Sequence, residues 1–323
     1  MASIFDSTVP ERRTVLVIAD SDKEVDFLYS SDVEVIVVSS ITRVGDYIRD
    51  LLKRESSAPV TVISITSDIE ALVRQCKLIG KYSPHVHDGM LTSNYAKRQS
   101  SYTTSTKNDS SSVDQNESLT SKGVSNYMLG VELVVVLDAQ TIHSDFLSHN
   151  SVMMQQVARF ISLKHCATYT CVSNSEGIFM DCNSVLSFLE KTGVAGFSTN
   201  SLPEASPNYE QVDVDPLQTY RINSMIPSGW DTRQRIMLLA SVADNEDSDV
   251  DLIRTDDDFL KVDEWYNKLL EAPIFHDNST PEQFVLPFDN PSTDKQAEVN
   301  LEDSTSSKLD LQSVLKRIYS TCI

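Results

Sequence analysis

Thr14-Val15-Leu16-Val17-Ile18-Ala19, followed by Val33-Glu34-Val35-Ile36-Val37-Val38, is the stretch on which the fold turns. Both runs are dense in β-branched residues and only about six residues long, the mark of strands buried on both faces of a parallel sheet. Past the second run, Ile41, Val44, Ile48, Leu51 and Leu52 recur at helical spacing, which predicts a helix packed back on the sheet. Val60 to Ile65 predicts a third strand, and Ile69, Leu72, Val73, Cys76 and Ile79 an amphipathic stretch behind it. The alternation resumes at Leu133-Val134-Val135-Val136-Leu137, then Met153, Val157, Phe160, Ile161 and Lys164 at helical spacing. A strand around Ala167 to Val172 and a helix from Asn183 to Glu190 come next. Strands alternating with helices, without hairpin signals, predict a doubly wound α/β domain.

One long segment interrupts that domain. Between Leu91 and Ser125, 15 of 35 residues are Ser or Thr, and Leu, Ile, Val, Met and Phe supply four. So little apolar area does not offset the entropy of ordering, and residues 83–126 are expected to be a disordered insertion. The α/β domain is then expected in two parts, 1–82 and 127–271. A linker at 272–307 carries four of the eleven prolines, and 308–323 reads as an amphipathic tail helix with Leu311, Val314, Leu315 and Ile318 on one stripe.

Charge narrows the partners. The chain of 323 residues holds 27 Lys+Arg against 47 Asp+Glu, a net charge of −20. That field repels nucleic acid phosphates and anionic membrane surfaces, so neither is expected as a direct partner. No run reaches the roughly 18–20 apolar residues of a membrane helix, and MASIFDSTVPERR has no signal-peptide core. Five scattered cysteines (Cys76, Cys166, Cys171, Cys182 and Cys322) read as reduced thiols, and an intracellular protein is expected.

A doubly wound domain invites a search for a phosphate loop. The sole Gly-Lys pair is Gly80-Lys81, followed by Tyr82 where a Walker loop needs Ser or Thr, and G-x-G-x-x-G does not occur. G-x-S-x-G is missing as well, and the scattered cysteines read as small buried hydrophobes rather than nucleophiles. His85 and His87 beside Asp88 hint at a metal but lack Cys partners nearby. The carboxylates from Asp247 to Asp258 do not match the calcium-loop pattern, and the Asp256-Asp257-Asp258 triplet suits a helix start. No cofactor, metal or catalytic residue is expected.

Met225-Ile226-Pro227-Ser228-Gly229-Trp230-Asp231 is the one local signature: a Pro that presets a turn, a Gly that permits positive φ, and a large aromatic. Trp230 either plugs the domain core or anchors a partner chain, and local chemistry favours the core.

The order of features, MIPSGWDTRQRIMLL, an acidic gap and then DDDFLKVDEWYNKLL, resembles the C-terminal half of the dynein light intermediate chain family. GVELVVVLDAQ, the helix ending RFISLKHC, ATYTCVSNSEGI and FLEKTGVAGF resemble that family's last two sheet strands and intervening helix, and the likeness spans roughly residues 14–270. The resemblance implies a degenerate Ras-like, P-loop GTPase-like sheet with a C-terminal helical extension. In it TVLVIAD is similar to a later strand and the family's phosphate loop is not found, so either a divergent, fungus-like member has lost that site or the chain lacks an N-terminal piece. The guanine-reading position carries Leu137-Asp138-Ala139-Gln140-Thr141, without the lysine or the final acid. The same resemblance implies a noncatalytic subunit of cytoplasmic dynein that contacts the heavy chain and, through the tail helix, adaptor proteins. Its partner contacts are expected at Trp230, Phe259 and Trp265, and at Leu311, Val314, Leu315 and Ile318. The alternative is an α/β nucleotide- or small-molecule-binding enzyme with no readable motif. It predicts polar groups converging near Ala19, Ser39 and Leu137, where a scaffold would have filling side chains.

Overall fold

The computed structural model describes residues 13–19, 25–30, 32–39, 45–53, 60–83, 85–105, 127–139, 149–173, 175–192, 194, 224–241, 243 and 252–272. The tail at 308–323, with Leu311, Val314, Leu315 and Ile318, lies outside them, as do Ile41, Val44 and most of the 272–307 linker.

Seven strands form one sheet: β1 (Arg13–Ile18), β2 (Val25–Tyr29), β3 (Val33–Val38), β4 (Thr61–Thr66), β5 (Glu132–Asp138), β6 (Thr168–Val172) and β7 (Met225–Ile226). Their order is β2-β3-β1-β4-β5-β6-β7. The five central strands are parallel, and their β-branched runs are buried on both faces, as the sequence predicts. Both edges depart from the expectation: β2 pairs antiparallel with β3, and β7 antiparallel with β6. The β2–β3 hairpin carries no Gly or Asn-Gly signal, because Ser30 closes it by donating to the Val33 carbonyl at 2.9 Å across Ser31-Asp32. The expectation that the first run is a later strand is also not met. β1 sits between β3 and β4, where the strand order reverses.

Seven α-helices stand among the described residues: α1 (Gly45–Leu52), α2 (Ile69–Tyr82), α3 (Asp88–Ser105), α4 (His149–Lys164), α5 (Cys182–Lys191), α6 (Arg233–Leu238) and α7 (Asp256–Glu271). Leu16, Ile36, Val62 and Val135 face one core with α1, α2, α4, α6 and α7. Val15, Val35, Ile63 and Val134 face the other with Val185 and Leu189 of α5. None of the described helices is long and apolar enough to cross a membrane.

The expected disordered insertion begins instead with α3, an 18-residue helix. Leu91 and Tyr95, four apart, are buried, and Arg98 one turn on is 7% exposed and paired with Glu132 at 3.0 Å. Counting aliphatic residues misses Tyr95 and the apolar stem of Arg98. The hydroxyls that lowered the helical expectation are absorbed locally, Thr92 donating to the Asp88 carbonyl at 2.7 Å and Ser100 to Ala96 at 2.8 Å. The rest of the insertion, 106–126, lies outside the described residues.

Candidate functional site

The turn after β7 is a clasp. Trp230 N–H donates to the Pro227 carbonyl at 3.1 Å, closing the turn, and Gly229 carries φ of +87°. A side chain there would be strained, and its Cβ would stand 3.0 Å from the Gln99 nitrogen of α3. The glycine thus lets α3 close against the turn. Ser228 ties the other side, its hydroxyl donating to the Cys166 carbonyl at 2.6 Å.

Trp230 is 5% exposed and belongs to the main core. Arg235, one turn into α6, lies with its guanidinium 3.9 Å from the Trp230 ring centre and donates to the Trp230 carbonyl. Burial lowers the Arg235 pKa, and the Asp231 carboxylate opposes that shift. Asp231 meets Arg159 of α4 in a bidentate pair, Nε to Oδ2 and Nη2 to Oδ1 both at 2.7 Å. Arg159 is fully buried, so the pair is enclosed. The clasp therefore bolts the sheet edge to the crossover helix between β5 and β6.

Gln156, one turn before Arg159, extends the bolt to α7. Its amide donates to the Ile236 and Ile253 carbonyls, each at 2.9 Å, and its Oε1 accepts from the Ile253 N–H at 2.9 Å. Thr255 and Asp258 then form a capping box, so the acidic triplet does start a helix. Phe259 is 1% exposed and meets Phe160 edge-on at 5.2 Å between ring centres. At the far end Lys164 pairs with Asp263 at 2.6 Å, and His165 Nε2 lies 2.5 Å from the Tyr266 hydroxyl. His165 Nδ1 lies 2.7 Å from the Tyr127 carbonyl, which only accepts, so Nδ1 holds the proton and Nε2 accepts from Tyr266.

Of the expected partner contacts, Trp230 and Phe259 are both buried in this chain's own core. Trp265 is half-buried against the same core. Sequence reasoning missed Arg159, Gln156 and Arg235. For Gln156 and Arg159 the available signal was three polar residues, Gln155, Gln156 and Arg159, inside the otherwise apolar run from Met153 to Phe160.

The strand order reverses between β1 and β4, so their carboxyl ends are where an α/β sheet binds a ligand. There Ala19 is buried, and its N–H donates to the Val38 carbonyl. Asp68 caps α2 by accepting from Glu70 N–H at 3.0 Å, which puts a carboxylate at the helix end a phosphate would seek. Thr66 Oγ1 is bonded to the Asp68 backbone, and Asp138 accepts from Ser175. Gly80 and Lys81 lie in the last turn of α2, where Gly80 packs on Leu129. Both ring nitrogens of His85 are engaged, by Asp88 and by the Gly80 carbonyl, each at 3.0 Å. Burial pushes the Cys76 and Cys171 thiols up to about 12, so both stay protonated at neutral pH. These groups serve to hold a shape.

No protein-family model and no curated protein sequence matches the chain. A crystal structure of the conserved domain of a dynein light intermediate chain is similar to it, with a TM-score of 0.48 at 14% sequence identity. The match covers 82% of this chain and 92% of that one.

Proposed function

We propose that this chain is a noncatalytic accessory subunit of cytoplasmic dynein, a pseudo-GTPase scaffold that binds the heavy-chain tail and links the motor to cargo or cortical adaptors. The observation that carries the reading is that every distinctive residue of the Pro227–Asp231 turn has a structural task. Pro227 closes the turn, Gly229 admits α3, Trp230 fills the core and Asp231 pairs with Arg159. The residues behind the family resemblance are thus those that specify the fold, and they join both resembling segments to α4. A Ras-like ancestry agrees with a reversal of strand order at β1, followed by Ala19 to Glu24 without a glycine.

In this reading the domain offers rigid surfaces, with Trp265 beside the heavy-chain contact. The tail at 308–323 offers Leu311, Val314, Leu315 and Ile318 as one apolar stripe to a partner groove. The protein works in the cytoplasm, on microtubules through its motor. Pull-downs with the full chain and with one lacking 308–323 test this. Both forms are expected to retain the heavy chain, and the truncated form to lose an adaptor. Loss of the heavy chain on truncation contradicts the division of labour.

A further inference from the structure

The two sheet edges are finished differently. β7 is two residues long and runs into Pro227, which has no N–H to offer, so that edge is blunt. β2 is five residues long, and no described strand pairs with its outer side. Ser30 pairs with Val33 in the hairpin, and hydrogen-bonded and non-bonded pairs alternate from there. Leu28 and Asp26 therefore turn their backbone groups toward β3, and Phe27 and Tyr29 turn theirs outward. Phe27 N–H accordingly finds the Asp26 carboxylate, at 3.1 Å.

Beside this edge stand two aromatics. Phe27 is 42% and Tyr29 59% exposed, stacked at 6.4 Å between ring centres, with Tyr47 of α1 edge-on to Phe27 at 6.3 Å. An edge that is merely protected would carry charge at those positions instead of aromatic area. The elements beside them are acidic in excess: Asp26, Asp32, Glu34, Asp46 and Asp50 against Arg13, Arg49 and Lys53, with Arg49 paired to Asp46 and Asp50.

We propose that the outer edge of β2 is a strand-addition site for an extended, basic segment of a partner protein. Asp26 is the gate. A neutral strand must displace its carboxylate from the Phe27 N–H without return, whereas Arg or Lys on the incoming strand takes that carboxylate as its own partner. The aromatic pair then receives the apolar or guanidinium side chains of alternate residues. A second copy of this chain is disfavoured, because it would bring the same acidic edge and a net charge of −20 against its own. This site stands independently of the motor-subunit reading, and the failure of either leaves the other intact.

The test is amide hydrogen exchange of the full chain, resolved at Phe27 and Tyr29, with blocked synthetic heptapeptides. A peptide alternating Arg and Val is expected to slow both amides about tenfold at ten times its Kd. A peptide alternating Arg and Pro, of equal charge but with no N–H opposite Phe27 and Tyr29 when its Arg residues face Asp26, is expected to have no effect, as is one alternating Glu and Val. Asp26→Lys is expected to transfer the protection to the Glu–Val peptide. Phe27→Pro, which removes an outward donor and leaves the β3 ladder intact, is expected to abolish it. If Phe27→Pro fails to fold, the charge reversal at Asp26 decides alone. Equal protection by the Arg–Pro peptide, no protection by the Arg–Val peptide, an unchanged preference in Asp26→Lys, or protection rising with protein concentration alone would each overturn the proposal.

Discussion

Arg159 and Asp231, 72 residues apart, form a bidentate ion pair with both N–O distances at 2.7 Å, and Arg159 is wholly withdrawn from solvent. Removing one partner leaves the other as an uncompensated buried charge. Arg159→Met and Asp231→Leu are each expected to lower stability by about 3–5 kcal/mol. The double variant Arg159→Met/Asp231→Leu should lose much less than the sum. Urea denaturation of all three checks the cycle, and additive losses would mean that the two groups do not act as a pair.

Gly229 couples the turn to α3. Gly229→Ala places a Cβ at positive φ and 3.0 Å from the Gln99 nitrogen, so it is expected to cost about 1–2 kcal/mol through the strained backbone. It should also loosen α3, and hydrogen exchange at Tyr95 to Gln99 reads this out. A helix as protected as before would show that α3 does not lean on the turn.

His165 makes the fold sensitive to acid. Burial, with the Lys164 ammonium adding to it, pushes the His165 pKa down to about 4 from its ordinary 6.5. The folded chain therefore binds this proton more weakly than the unfolded chain. The stabilising difference is complete above about pH 6.5 and is lost as pH falls toward 4, a change of roughly 3 kcal/mol. A protonated ring would also turn a second N–H against the Tyr266 hydroxyl, forcing that donor away. His165→Gln is expected to flatten stability against pH across this window. An equally steep fall in the variant would assign the acid sensitivity elsewhere.

Nucleotide is expected to leave the melting temperature unchanged, because the Asp68 carboxylate already caps α2 where the strand order reverses. A ligand at 100 times its Kd adds about 2.7 kcal/mol, which a thermal scan with GTP, GDP or ATP and magnesium resolves. A clear upward shift would contradict the reading of that site. Asp68→Ala should cost about 1 kcal/mol through the lost cap.

The sequence was most legible where burial on both faces forced β-branched runs: β1, β3, β4, β5 and β6. β2 escaped notice because it is half exposed, with Asp26, Phe27 and Tyr29 obeying no buried pattern, and because its hairpin closes without glycine. α3 escaped because hydroxyl composition signals disorder, while a stripe of Leu91, Tyr95 and Arg98 suffices when the sheet and the Gly229 turn supply the rest of the contact. The weight of Trp230 could be read from its turn, but its anchor could not, since no local pattern joins Arg159 to Asp231. Phe259 stood among the expected partner contacts, and its helical spacing could not show that it is buried against Phe160.

Native mass measurement of this chain, coexpressed with a dynein heavy-chain tail from the same cells, decides whether it is a dynein subunit. One complex is expected, heavier than the tail by 36.0 kDa per bound chain. That complex should persist at physiological salt and with the 308–323 segment removed. Separate masses for the tail and this chain, with the chain folded and the tail intact, would contradict the assignment.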